Sequence, residues 1–159
     1  MNFDKRLALL VGVLLLFCPI ASAQGATSLS QQVAALTAKY QNEKRVMTME
    51  CNSGFKLKAV KAMLRASLGE EFANRIEAVT IIFYEGASAE CVSNITADIA
   101  LITRNLQKHD LGTHFKDGTK GVSYVQPTED GKGVSDIVVV MDSPTPGVVY
   151  IKGNFKAEK

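Results

Sequence analysis

The sequence predicts an α+β domain with helices packed on one face of a mixed, mainly antiparallel sheet, and three observations point there. Leu29, Val33, Leu36 and Tyr40, and again Cys91, Ile95, Ile99, Ile102 and Leu106, recur every three or four residues, the spacing of an apolar helical stripe. Ile76 to Tyr84, IEAVTIIFY, is largely apolar on both alternating faces, as a buried strand requires. The third observation is Val134 to Phe155, where two β-branched runs flank Asp142-Ser143-Pro144-Thr145-Pro146-Gly147. The prolines and glycine forbid a continuous element there, so the stretch reads as a hairpin. The order is α-β-α-β-α followed by a β-meander, a segregation that favours α+β.

Residues 1–23 read as an export signal. Lys5 and Arg6 precede the apolar run Leu7 to Phe17, Pro19 breaks it, and Ala21-Ser22-Ala23 supplies small residues for cleavage before Gln24. That run is too short to span a bilayer as a helix. Cys18 would be the lipid acceptor of a lipoprotein signal, but Phe17 stands where that chemistry wants a small residue, which disfavours lipidation. The expectation is a periplasmic or secreted protein, with residues 24–28 as a tether and 29–159 as a single domain. A formal net charge of +2 gives no basic surplus for nucleic acid. No later apolar run has spanning length, so stable membrane insertion of the mature chain is not expected.

Within the domain, Ser28 or Ser30 can cap the first helix, which should fray by Asn42. Arg45 to Cys51 reads as a strand with Met47, Met49 and Cys51 on one face. Asn52-Ser53-Gly54 turns into a helix carrying the stripe Leu57, Val60, Leu64 and Leu68, stopped by Gly69. After Ile76–Tyr84, Glu85 to Ser88 turns the chain and Ser88 caps the helix that runs to Asp110. His114 to Lys116 reads as a short edge strand before an Asp117-Gly118 turn, and Val122 to Gln126 as a further strand. Glu129 to Gly133 turns into the final hairpin. In its second strand Val149, Ile151 and Phe155 should point inward, and Tyr150, Lys152 and Asn154 outward.

The export signal, an early helix ending in tyrosine, the strand Val79-Thr80-Ile81-Ile82-Phe83 and the closing Val149-Tyr150-Ile151-Lys152-Gly153-Asn154-Phe155 together resemble the small exported bacterial proteins of the family domain of unknown function 4252. The resemblance implies an envelope location and an α+β domain without an assigned activity. It carries over no catalytic residue.

Candidate site residues follow from one assumption: if the strands at 45–51 and 76–84 are parallel, their carboxyl ends share an edge. Asn52, Ser53, Gly54, Gly86 and Ser88 would then gather at two helix N-termini, where backbone donors can bind an anion or small molecule. Cys51 and Cys91 would meet at the same edge. They would either form a disulfide or remain two buried thiols, and the start of a helix would favour a reactive Cys91 thiolate. Lys56, Lys58, Lys61 and Arg65 read as a solvated helix face. His109 and His114, with Asp110 and Asp117, match no familiar zinc spacing. No nucleophile elbow, phosphate loop, zinc-protease or dinucleotide motif occurs. The sequence therefore predicts no catalytic residue, metal or cofactor. It favours a non-enzymatic binding or protein-interaction module with an envelope protein as partner. The alternative is a small-molecule or anion site at the shared carboxyl edge. A homodimer through a sheet edge follows if Val148 to Phe155 lies at the margin.

Overall fold

The computed structural model describes residues 27–109, 120–143 and 145–156. The export signal, Cys18, the His114–Lys116 strand and the Asp117-Gly118 turn fall outside them.

Helix α1 (Leu29–Tyr40) starts where the sequence offers a cap. The Gln31 amide donates to Ser28 Oγ at 3.2 Å and the Ser28 amide to Gln31 Oε1 at 3.0 Å, a reciprocal capping box. Strand β1 (Met47–Cys51) follows, entered through Arg45 in the left-handed region at φ +63°. Helix α2 (Gly54–Leu68) ends at Gly69, whose φ of +92° suits glycine, and a short helix α3 (Glu70–Asn74) intervenes before strand β2 (Ile76–Phe83). Helix α4 (Ala89–Thr103) is capped by Ser88, which accepts from the Cys91 amide at 3.1 Å. Strands β3 (Gln107–His109), β4 (Lys120–Pro127), β5 (Gly133–Ser143) and β6 (Gly147–Lys156) follow. Among the described residues no helix is long and apolar enough to cross a membrane.

Among the described residues six strands form one sheet in the order β1-β2-β6-β5-β4-β3, and every neighbouring pair is antiparallel. The α+β class stands, but the sheet is not mixed. Cys51, the last residue of β1, pairs with Val79 near the start of β2, so β2 begins at the end where β1 stops. Helices α2 and α3 make an excursion and return rather than a crossover. The last strand lies in the middle, paired with β2 on one side and β5 on the other, so it offers no margin for dimerisation.

Helices cover both faces, not one. On the first, α1 and α4 bring Leu29, Val33, Leu36, Cys91, Ile95 and Ile99 against Ile82, Val138, Val148 and Tyr150. On the second, Leu57, Val60 and Leu64 of α2 pack with Cys51, Ile76, Val79, Ile151 and Phe155, and Phe72 of α3 stacks on Phe155 at 4.5 Å. The cause is the strand composition: β2, β5 and β6 are apolar at odd and even positions alike, so each face needs its own cover. Tyr150, expected outward, is therefore buried in the first core, on the face opposite Val149 and Ile151.

Candidate functional site: the open rim of strand β1

The antiparallel pairing separates the residues that a parallel pair would have gathered. Asn52, Ser53 and Gly54 follow β1 at one end of the sheet, whereas Gly86 and Ser88 follow Phe83, which pairs with Met47 at the other. Each group serves its own helix start, and the Ser53 side chain makes no capping bond. The shared anion edge is not formed.

The same geometry parts the cysteines. Cys51 is fully buried in the second core, beneath α2, and Cys91 is buried in the first, beneath α1. The sheet lies between them and both thiols are free, so no bridge forms. Burial pushes the Cys91 thiol up, and the negative charges of Glu43 and Glu90 push the same way. These effects outweigh the helix start that would favour thiolate, so the residue packs as a small hydrophobe.

What the fold does expose is a methionine-lined rim. Strand β1 ends the sheet: it pairs with β2 on one side, and among the described residues no strand pairs with the other. Its outward row is Met47, 51% exposed, and Met49, 37% exposed, on the same face as buried Cys51. Helix α2 sits over the Cys51 end of that face. At the opposite end Met47, Phe83 and Met141 join neither core. Phe83 folds across Gly147 instead, so close that a Cβ on that glycine would lie 2.4 Å from the ring. The second face is thus helix-covered at one end and apolar but uncovered by any described helix at the other. The alternation Met47-x-Met49-x-Cys51 is visible in the sequence, but the helix leaving two of the three open is not.

No family model, characterised protein or solved structure matches the chain.

Other polar groups are spent on holding elements together. Lys39 Nζ and Tyr40 OH donate to Asp98 Oδ2 at 2.6 and 2.7 Å, tying α1 to α4. Tyr150 OH donates to Asp136 Oδ1, and Ser135 Oγ to Asp136 Oδ2 at 2.6 Å. In the basic cluster, Lys61 donates to the Ile76 carbonyl at 3.1 Å and Arg65 to Asn74 Oδ1 at 3.4 Å, so two of its four cations brace the α3–β2 junction. A recess of about 1170 Å³ lies between the start of α1, the end of α4 and the β4–β5 turn, lined by Gln32, Arg104, Gln126, Glu129 and Asp136 among others. Of its two carboxylates, Asp136 is already engaged by Tyr150 and Ser135. Among the described residues no group of three or more metal-binding side chains occurs.

Proposed function

We propose that the protein is exported to the periplasm or beyond and works there as a non-enzymatic interaction module, taking a protein partner along the β1 rim. Export is supported by the Lys5-Arg6 start, the apolar run and the Ala21-Ser22-Ala23 site. The observation that carries the binding reading is the rim itself. An edge strand presents unpaired amide and carbonyl groups, which proteins ordinarily screen with charge, proline or a bulge. Here β1 has no proline and no bulge, and its single charge, Glu50, stands on the other face; the row on the Cys51 face is methionine, a side chain that adapts to a partner's surface. Strand addition supplies affinity through the backbone and specificity through alternate side chains.

A photo-reactive amino acid at position 49 of the full chain, expressed in cells, should give a discrete adduct in the exported fraction. The same probe at Leu101, exposed on α4, should give none. No adduct from position 49 would overturn the binding reading. A leader retained on a cytosolic product would overturn export.

A further inference from the structure

We infer that the occupant of the β1 rim is a second copy of this chain, joined by an antiparallel β1–β1 pair on a two-fold axis through Met49; this rests on the binding reading above. A strand that pairs with itself antiparallel is related to its copy by a two-fold axis normal to the sheet, so each residue keeps its face. The register centred on Met49 sets Met49 against Met49, Met47 against Cys51 and Thr48 against Glu50. No two like charges face each other across it, and the one acidic residue of β1 meets a hydroxyl.

The decisive feature is the one-sided cover of the second face. Helix α2 lies over Cys51 and leaves Met47 half exposed. The two-fold brings the second copy's Cys51 beside Met47, and with it the α2 that sits above that cysteine. Each copy then carries a helix toward the end that the other leaves open. A foreign peptide strand could fill the rim but would bring no helix to that end. The opposite margin of the sheet is unsuited to the same pairing, because β3 has three residues with Lys108 at its centre. Pairing through one edge only closes as a dimer and does not propagate.

Sedimentation equilibrium of the full exported protein should return twice the chain mass at micromolar concentrations. Met49→Lys should raise the dimer dissociation constant by at least about tenfold, since it sets two ammonium groups opposite each other. Met49→Cys should cross-link to itself on mild oxidation, because opposed residues of an antiparallel pair lie about 4.5–5.5 Å apart at Cα, within disulfide reach; Leu101→Cys should not. A monomeric wild type, or a dimer that neither disperses with Met49→Lys nor cross-links through Met49→Cys, overturns the inference. If Met49→Lys does not fold, the cross-link decides alone. An in-cell adduct from position 49 at a mass other than twice the chain would sink the second copy and leave the binding reading standing.

Discussion

At the scale of single residues, three tyrosines report on the fold. Burial raises the Tyr84 phenol, helped by the charge of Asp142. It raises Tyr150 further, with the Asp136 hydrogen bond adding to it, and raises Tyr40, with the bond to Asp98 acting the same way. A phenol whose proton is held more tightly when folded stabilises the fold in full below the unfolded tyrosine range, near ~10, and that contribution is lost as pH climbs through the folded value. In an alkaline titration the phenolate absorbance of Tyr40, Tyr84 and Tyr150 should therefore appear together with loss of the circular dichroism signal. Three phenols ionising near ~10 in a folded chain would refute these environments. Asp98 has the opposite sign. Burial works against its charge, but the hydrogen bonds from Lys39 and Tyr40 outweigh it and hold the carboxyl below its ordinary range. Its contribution is present above the unfolded aspartate value, near ~3.9, and lost as pH falls through the folded one. Asp98→Asn should cost about 1–2 kcal/mol in denaturant unfolding at neutral pH, the exposed Lys39 adding little and the part-buried Tyr40 bond most. The difference should shrink in acid. Tyr40 was legible as the end of an apolar stripe. Its tie to Asp98 was not, because the pairing depends on how two distant helices pack.

At the scale of elements, the helices with the clearest period were the most legible. The α1 stripe is buried at all four positions, and α4 at Cys91, Ile95 and Ile99. Ile95→Ala removes a side chain with no exposure and should cost about 2–5 kcal/mol, whereas Leu101→Ala, on the solvent side of the same helix, should stay within about 0.5 kcal/mol by denaturant melts. The α2 stripe holds through Leu64, but Leu68 is more than half exposed because Gly69 turns the chain away into α3. The five residues of α3 are too few to show a period, and β3 was hidden inside the apparent end of α4 because Leu106 continues its spacing. Helix α4 instead stops at Thr103. In β6, Gly147 is required by close approach rather than by backbone angle. A Cβ there would meet the Ile82 carbonyl oxygen at 2.8 Å as well as the Phe83 ring, so Gly147→Ala should destabilise by about 1–3 kcal/mol in the same melts.

At the scale of the whole molecule, strand content and the central hairpin were readable, whereas strand direction was not. The segment between Cys51 and Ile76 is long enough for a crossover or for a return. Which one occurs depends on α2 finding apolar cover at the end where β1 stops, a tertiary contact with no local signature. That single choice dispersed the cysteines and the helix caps and left the far end of the second face open. The placement of β6 between β2 and β5 makes the last strand indispensable, so a chain ended at Pro146 should lose its cooperative thermal transition. The most direct measurement is amide hydrogen exchange across Met47–Cys51 in the wild type and in Met49→Lys at matched high concentration. Amides of β1 directed away from β2 should be protected in the wild type, and exposed on dilution or in the variant, while β6 stays protected throughout. Equal, rapid exchange of those amides in both proteins at every concentration would contradict a paired β1 rim.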